Sequence, residues 1–466
     1  RSGAKGNAEQ PHMRRTQSRE SMSQRLSRVR EAAKQRKKER FTALFHLLTA
    51  EELENAFLSL SRKAAAGVDG VRWKDYAENL KVNIADLHRR LHQGSYRAQP
   101  GRRHYIPKAD GKQRPLGIAS LEDKIVQYAL VKILNAVYEN DFMGFSYGFR
   151  PGRSQHNALD ALATGLVRTN VNWVLDADIS QFFDKVSHEW LIRFIEHRIG
   201  DQRVIRLIRK WLTAGTSEEG EWRASEEGTP QGAVISPLLA NIYLHYVFDL
   251  WAHQWRRRHA TGNVVMVRYA DDIVIGFDKR IDAQCFRIAM QRRLKEFGLT
   301  VHPKKTRLME FGRFAAENRA SRGKGKPETF NFLGFTHISG KDRSGRFMLI
   351  RKTRRDRMTA TLKAIKDGLR KRWHYSIPEQ GKWLRRVVQG YLNYHSVPGN
   401  YPMMRKFRIY VTDLWRRALR RRSQQDDTTW TKANRLAAVW LPKVRVLHPW
   451  PVERFTARHP RQEPGA

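Results

Sequence analysis

The sequence has 466 residues, which at the usual ~150 residues per domain is enough for about three domains. Its 88 Lys and Arg against 46 Asp and Glu give a formal net charge of +42, and such an excess predicts a polyanionic partner. The single cysteine excludes an intramolecular disulfide framework and every cysteine-rich zinc site. Because the N-terminus is hydrophilic and no apolar run reaches the ~18 residues of a membrane span, we expect a soluble cytoplasmic protein that binds nucleic acid and no membrane.

The positive charge is concentrated towards the two ends of the sequence. Residues 1–40 hold 13 Lys and Arg and four Glu, and residues 351–466 hold 28 Lys and Arg and eight acids. A solvated surface is the ordinary explanation of one such run, but two regions that share most of the charge favour surfaces beside a bound polyanion. Residues 1–40 themselves predict either a mobile arm or a solvent-coated helix.

Hydrophobic periodicity predicts the first elements in chain order. Apolar residues recur on a rough 3.6 period over 41–62, which predicts a helix. Residues 105–118 predict two strands joined by a turn, and a helix follows them. Ser236 and Pro237 predict the N-cap and first residue of an amphipathic helix. Residues 330–336 predict one short strand after a Gly- and Lys-rich loop.

After residue 352 the pattern becomes entirely helical. Three apolar stripes recur there at helical spacing: Met358, Leu362, Ile365, Leu369 and Trp373; Leu384, Val387, Val388, Tyr391 and Leu392; and Met404, Phe407, Val411, Leu414 and Ala418. Each stripe needs a partner to bury it, so we expect three helices that pack on one another. The result is a separate helical module that carries much of the positive charge.

Four aspartates stand out in so basic a sequence. Asp271 and Asp272 occupy the predicted turn of an apolar hairpin, where adjacent carboxylates repel each other. A strand predicted over 172–179 places Asp176 and Asp178 on one face. An ordinary Asp-rich turn is one explanation, but two β elements that bring acids together favour divalent cations such as Mg²⁺. A two-metal site beside a basic surface is typical of nucleotidyl transfer or of a nuclease.

Tyr269-Ala270-Asp271-Asp272 resembles the YxDD signature of reverse transcriptases, and the surrounding motifs occur in that family's order. These motifs are IPKADGKQRPLGI (106–118), SYGFRPGRS (146–154), DADISQFFD (176–184), GTPQGAVISPLLANIYL (228–244), GLTVHPKKTRLMEF (298–311) and FNFLGFTH (330–337). A lone YADD would be a weak signal, whereas six ordered motifs are highly specific. The resemblance extends from about residue 41 to the end of the sequence.

The sequence resembles most the reverse transcriptase–maturases encoded by bacterial group II introns. Three features carry this likeness: RKT (351–353) at a predicted helix start, LRRRSQ (419–424) and WLPKVRVLHPWPVERF (440–455). Many members of the family add an HNH endonuclease domain with cysteine pairs, and this sequence contains one cysteine. We therefore expect no DNA-strand cleavage by this chain.

The resemblance implies an α+β right-hand polymerase, with fingers and palm built from an antiparallel sheet and helices, followed by a helical thumb. The expected divisions are a basic N-terminal arm (1–40), an N-terminal extension and fingers (41–170), a palm with the YADD hairpin (171–336), a thumb or maturase domain (337–425) and a short basic extension (426–466). The last of these is a candidate DNA-binding region.

By the same resemblance, Asp178, Asp271 and Asp272 are the metal-binding carboxylates, and the backbone of Ile179 is an extra ligand. Two Mg²⁺ ions are the implied cofactors, for which Mn²⁺ can substitute. Strand alternation alone leaves Asp176 as an alternative to Asp178. The family's spacing, with an aromatic residue five positions later, favours Asp178.

The resemblance also assigns residues to the nucleotide and to the template. Phe183 would lie under the incoming sugar, where its ring would collide with a 2′-hydroxyl and so select dNTPs. Lys108 and Arg114 would hold the triphosphate, although both also fit a solvated hairpin. The remaining assignments are Ile179, Gln231 and Gly232 beside the nucleotide, Lys305 as proton donor to pyrophosphate or as part of a phosphate-binding turn, and Arg150, Arg153 and Gly334 against template and primer.

The leading hypothesis is an RNA-directed DNA polymerase that extends a DNA primer or target on an RNA template and binds its group II intron RNA to assist splicing and mobility. The alternative in the same class is a free-standing bacterial reverse transcriptase that serves defence or DNA repair without an intron. A third hypothesis, an RNA-binding splicing factor with an inactive polymerase, conflicts with the intact carboxylate set.

Overall fold

The computed structural model describes residues 10–107, 113–218, 220–224, 227–230, 232–422 and 428–458, with side chains from residue 22 onward. These residues form helices and three β-sheets, which confirms the predicted α+β class. Among them, no helix is both long enough and apolar enough to cross a membrane.

The helices are given by their first and last residues. They are α1 (Gln10–Gln35), α2 (Ala50–Ser59), α3 (Trp73–Glu78), α4 (Leu80–Gln93), α5 (Leu121–Tyr138), α6 (Gln155–Arg168), α7 (Phe182–Lys185), α8 (His188–Glu196), α9 (Gln202–Thr213), α10 (Ser236–Leu244), α11 (Leu250–Arg258), α12 (Arg280–Glu296), α13 (Ala315–Ala320), α14 (Arg355–Lys371), α15 (Ile377–His395), α16 (Tyr401–Arg420), α17 (Trp430–Trp440) and α18 (Pro451–Arg458). A π-helical turn, His245–Asp249, joins α10 to α11.

The strands are β1 (Gly101–Pro107), β2 (Gln113–Ile118), β3 (Trp173–Asp178), β4 (Thr216–Glu218), β5 (Glu221–Arg223), β6 (Val264–Tyr269), β7 (Asp272–Phe277), β8 (Arg307–Glu310), β9 (Phe330–Phe332), β10 (Phe335–Lys341) and β11 (Phe347–Thr353). They form three sheets, with strand orders β2-β1-β4-β5, β6-β7-β3-β8 and β11-β10-β9. The hairpin predicted over 105–118 is therefore present as β1 and β2.

The chain divides into two compact units that alternate along the sequence. The first unit comprises Arg1–Gly152, Ile179–Arg258 and Ile288–His302, and it contains the β2-β1-β4-β5 sheet. The second comprises Arg153–Asp178, His259–Arg287 and Pro303–Ala466, and it contains the other two sheets and the helical module.

In the second unit, the central sheet is β6-β7-β3-β8, and all of its neighbouring strands are antiparallel. Helix α6 packs against β6 at Gly165, where an added Cβ would lie 2.5 Å from a methyl group of Val265. Only a residue without a side chain allows this approach, so the helix fixes one face of the sheet that carries the aspartates.

The helix predicted over 41–62 begins only at Ala50, capped by Thr49. Phe41 instead forms a parallel bridge with Ile199, and the backbone amides of Leu44 and Phe45 both donate to the Asp201 carboxylate at 2.9 Å. A distant side chain satisfies these amides, so the segment before Ala50 forms only a short 3-10 helix, Phe45–Leu47, and no α-helix.

The basic N-terminal region contains a helix, α1, which agrees with the second of the two predictions made for it. Its C-terminal end is fixed by Arg198, whose side chain is 4% exposed and pairs with Asp141. The Arg198 guanidinium also donates to the carbonyl oxygens of Ala33, Arg36 and Glu39 at 3.2, 3.0 and 2.7 Å. A buried cation thus caps the helix end, where carbonyl groups lack partners.

Two predictions near residue 340 are wrong. The strand predicted over 330–336 is two antiparallel strands, β9 and β10, that turn at Leu333 and Gly334, both with positive φ. The RKT segment (351–353) does not start a helix, because it ends strand β11, and α14 begins at Arg355.

The helical module confirms the three predicted stripes except at Trp373, which follows the end of α14 and is exposed. Helices α14, α15 and α16 bury a common core that includes Ile365, Leu384, Val388, Phe407 and Val411. Residues of α17 and the following loop, among them Ala437 and Leu441, complete this core. Burial of the three stripes against one another is what stabilises the module.

Candidate active site

The aspartates meet at one edge of the central sheet. Asp178 is the last residue of β3 and Asp272 the first of β7, and the antiparallel register places them directly opposite each other. Ala270, in the turn between β6 and β7, has φ +55°, a left-handed conformation that costs free energy for a residue with a Cβ. The turn therefore holds Asp271 and Asp272 at the sheet edge in a strained backbone, as is common at functional sites.

Two of these carboxylates, Asp272 and Asp176, have a raised pKa. The Asp272 residue is exposed at the sheet edge, but its carboxylate is partly desolvated by the surrounding protein. This desolvation, followed by the negative charges of Asp271, Asp178 and Asp176, raises the pKa of Asp272 to about 7. Desolvation raises the pKa of Asp176 to about 6, while Arg307, its cross-strand partner, opposes the shift. Concentrated negative charge of this kind creates a need for a cation.

Lys305 is the cation that contacts this group. Its Nζ lies 2.7 Å from Oδ2 of Asp178, and the Lys305 side chain is 63% exposed. Lys305 lies in the turn that precedes β8. The side chain predicted to donate a proton to pyrophosphate therefore lies in an ion pair with a carboxylate that is predicted to bind metal.

The donor chemistry of the site fits a hard divalent cation. Every candidate ligand is an oxygen, from a carboxylate or from the backbone of Ile179, and oxygen is the ligand type that Mg²⁺ prefers. Among the residues that the structure describes, no three His, Cys, Asp or Glu side chains lie close enough to hold a metal ion. The aspartates are thus brought together by strand register and share unfavourable charge, but they do not form a closed ligand shell.

In the first unit, the backbone of Phe183 is anchored to the segment that begins the GTPQG motif. The Thr229 amide donates to the Phe183 carbonyl oxygen at 2.7 Å, and a Cβ on Gly228 would lie 2.8 Å from that oxygen. The Phe183 ring is partly buried and packs edge-on against Phe182 at 5.3 Å. Gly228, with φ +85°, makes this approach possible, and its role was not predicted from the sequence.

Gly232 also permits a close backbone approach, in this case to strand β2. It has φ +106°, and an added Cβ would lie 3.1 Å from the carbonyl oxygen of Gly117 in β2. Arg114 lies exposed on β2, opposite Ile106 of β1. Lys108 and Gln231 lie outside the described residues.

Comparison with known proteins identifies similar sequences. Residues 106–337 match the family model described as reverse transcriptase (RNA-dependent DNA polymerase). Protein YkfC of Escherichia coli (strain K12) is 42% identical over 222 residues, 46% of this chain and 58% of that protein. The group II intron-encoded protein LtrA of Lactococcus lactis subsp. cremoris is 37% identical over 223 residues, 47% of this chain and 37% of LtrA. Nuclear intron maturase 2, mitochondrial, of Arabidopsis thaliana is 29% identical over 110 residues, 23% of this chain and 15% of that protein.

The chain is thus similar, over the matched segments, to reverse transcriptases and to group II intron-encoded proteins. The segment matched by the reverse transcriptase model includes both β3 and the β6–β7 hairpin, so the similarity covers the residues that carry the carboxylates. The chain spans 58% of the length of YkfC and 37% of the length of LtrA.

One predicted template contact, at Arg150, needs correction. The Arg150 side chain is 2% exposed and pairs with Glu139 at 3.0 Å, while Nη1 donates to the carbonyl oxygens of Met143 and Ser146 at 2.8 Å. A guanidinium occupied in this way stabilises the surrounding turn and does not reach a phosphate at the surface. We therefore remove Arg150 from the template-binding set.

The other two template and primer candidates lie in the second unit. Arg153 is partly exposed and precedes the capping box that starts α6. Gly334 lies in the β9–β10 turn, where the Tyr394 hydroxyl donates to the Leu333 carbonyl at 2.7 Å and the Arg354 amide donates to the Gly334 carbonyl at 3.1 Å. The helical module thus holds the turn that carries Gly334.

Proposed function

We propose that this chain is an RNA-directed DNA polymerase of the group II intron type that extends a DNA primer or target by two-metal nucleotidyl transfer. The main support for this proposal is the antiparallel register of β3 and β7, which pairs Asp178 with Asp272, next to Asp271. The raised pKa of Asp272 supports the proposal, because the excess negative charge is relieved when a divalent cation binds.

In this proposal Asp178, Asp271 and Asp272 hold two Mg²⁺ ions, for which Mn²⁺ can substitute, with the backbone of Ile179 as a further ligand. The ions would stabilise the attacking 3′-hydroxyl oxygen and the leaving pyrophosphate. Asp176 would take no metal, because it lies across from Arg307, which already supplies positive charge. Lys305 is proposed as the proton donor to pyrophosphate.

The right-hand arrangement is part of the same proposal. The β1–β2 hairpin would be the fingers, with Lys108 and Arg114 on the triphosphate. The central sheet would be the palm, and α14–α16 the thumb. Phe183, with Gln231 and Gly232, would line the nucleotide site and exclude a 2′-hydroxyl, while Arg153 and Gly334 would contact template and primer.

The second part of the proposal is intron RNA binding in support of splicing and mobility. Residues 1–40 and 351–466 carry +29 of the +42 net charge, outside the strands that hold the carboxylates. The exposed Trp373, Tyr375, Tyr401, Tyr410 and Trp430 of the helical module and of α17 supply stacking faces beside this charge. Charge provides affinity, and contacts to unpaired bases and RNA shape provide selectivity.

The decisive experiment is primer extension with dNTPs on an RNA template in Mg²⁺. Replacement of Asp271 and Asp272 by Ala should abolish DNA synthesis while RNA binding persists, because the substitutions remove metal ligands and leave the basic surfaces intact. Glu189→Gln, an exposed carboxylate on α8, serves as the charge control and should retain activity. Extension by the double variant would show that the metal assignment is wrong.

A further inference from the structure

We infer that Lys305 is the resident counter-ion of the carboxylate group, and that an incoming divalent cation must displace its ammonium from Asp178. The inference rests on the proposed polymerase function and deepens it. It assigns to Lys305 a role in metal binding that precedes any proton transfer.

The ion pair defines the competition. Lys305 Nζ lies 2.7 Å from Oδ2 of Asp178, a carboxylate that is 20% exposed and is proposed as a metal ligand. An ammonium in contact with that oxygen and a metal ion compete for it, because both are cations attracted to the same carboxylate oxygen and each repels the other. The main charges acting on Asp272 are the three carboxylates of Asp271, Asp178 and Asp176, opposed by the single positive charge of Lys305.

The position of Lys305 makes displacement easy. Its side chain is 63% exposed and lies on a turn, so it can rotate into solvent without disturbing packed residues. Arg307 offers the contrast, because β8 places it directly across from Asp176 in the sheet register. The register thus fixes the backbone of Arg307 across from Asp176, whereas Lys305 reaches Asp178 with an exposed side chain from a turn.

Displacement has a consequence for the order of events. While the ammonium is paired with Asp178, it is not available to a pyrophosphate group. A bound divalent cation would supply positive charge to Asp178 in place of the ammonium, which would leave Lys305 free to act as a proton donor. The proton donor would therefore become available only after the metal has bound.

Mn²⁺ binding to the full chain, measured from the EPR signal of the free ion without nucleic acid or nucleotide, tests this inference. Lys305→Met should bind Mn²⁺ about two- to fivefold more tightly than the unchanged protein, the range that corresponds to breaking a partly exposed ion pair. Lys305→Arg keeps the charge and should bind with nearly the original affinity. Lys304→Met removes an adjacent exposed charge and should change affinity less than Lys305→Met.

Equal or weaker Mn²⁺ binding by Lys305→Met would overturn the inference, as would an equal gain in Lys304→Met, which would indicate only a long-range charge effect. Thermal unfolding in EDTA provides the second measurement. Lys305→Met should lower the Tm in EDTA and show a larger Tm increase on Mn²⁺ addition than the unchanged protein. If Mn²⁺ binding is unaffected by replacing Asp271 and Asp272 with Ala, the proposed metal site fails, whatever Lys305 does.

Discussion

Asp160 and Asp272 are both crowded carboxylates in the second unit, but their neighbours carry opposite charge. Asp160 lies on α6 with its side chain 2% exposed, and it pairs with Arg351 of β11 at 3.5 Å and with Arg454 of α18. Asp272 lies near Asp271, Asp178 and Asp176, and desolvation followed by the charges of these three carboxylates raises its pKa. A carboxylate surrounded by cations holds the structure together, whereas one surrounded by carboxylates lowers stability until a cation binds.

The largest effect expected from this contrast is on stability at Asp160. Asp160→Asn removes the charge shared by two arginines and leaves Arg351, 2% exposed, without its counter-ion. Removing one partner of a buried ion pair costs about 3–5 kcal/mol, so we expect a large fall in the free energy of unfolding. Chemical denaturation measures it, with Asp367→Asn, an exposed carboxylate on α14, as the control. A decrease no larger than that of the control would refute the structural role.

The opposite sign is expected at Asp272. Asp272→Asn removes one of several mutually repelling charges, so the free energy of unfolding in EDTA should not fall. Any increase should be at most about 1 kcal/mol, because solvent screens the repulsion. DNA synthesis should be abolished at the same time. The same denaturation series measures the change, and destabilisation comparable to that of Asp160→Asn would break the comparison.

The two regions should also respond oppositely to pH. Burial first, and then the positive charges of His448, Arg454, Arg351 and His395, lower the pKa of His156 to about 3. Below about 6.5 the unfolded chain binds a proton that the folded chain refuses, so this contribution to stability is complete above pH 6.5 and is lost as the pH falls towards 3.

For Asp272 the sign is reversed. Its folded pKa of about 7 lies above the ordinary 3.8, so the folded chain retains a proton that the unfolded chain releases, and stability is lost as the pH rises through 7. His156→Phe keeps a ring against His448, whose ring centroid is 4.0 Å away, and removes the titrating group. Between pH 6.5 and 5 this variant should lose less stability than the unchanged protein, by at most about 1.4 kcal/mol per pH unit. Parallel stability curves for the two proteins would contradict the assignment.

Local patterns were enough to predict the β3 strand, the β6–β7 hairpin and the helical module. Each of these buries its own apolar residues, so the pattern and the structure share one cause. The failures have non-local causes: Asp201 satisfies the amides of Leu44 and Phe45 from 157 and 156 positions away. Arg351 likewise finds Asp160 in a distant helix, and no spacing of residues around either one indicates the pairing.

Arg150 shows the same limit within the candidate site. Its motif predicted a template contact, while Glu139, 11 positions earlier, and two backbone carbonyls bury it. By contrast the aspartates at the sheet edge could be predicted, because strand alternation and the two-residue turn place them by local geometry. Adjacent carboxylates that repel each other are unexpected in so basic a chain, and this is what indicated a functional site.

The smallest expected effect is on RNA binding, and it comes from comparing a buried arginine that has protein partners with exposed arginines. The end of α1 and the residues after it supply three carbonyl partners of Arg198. A deletion of residues 1–40 would leave Arg198 buried without these partners, so a loss of RNA binding could not be distinguished from a loss of stability. Arg25 and Arg28 are exposed on α1, and Arg25→Gln with Arg28→Gln should leave the Tm unchanged. For every phosphate that one of these arginines neutralises, its replacement should reduce the log–log salt slope of RNA affinity by about 0.7–0.9.

Filter binding of a group II intron RNA and of an unrelated structured RNA at two salt concentrations measures both slope and selectivity. An unchanged slope in the double variant would show that this face of α1 does not bind phosphate. Equal affinity of the unchanged protein for the two RNAs near physiological salt would contradict intron recognition. It would leave the polymerase proposal intact, because the carboxylates lie on strands separate from the basic regions.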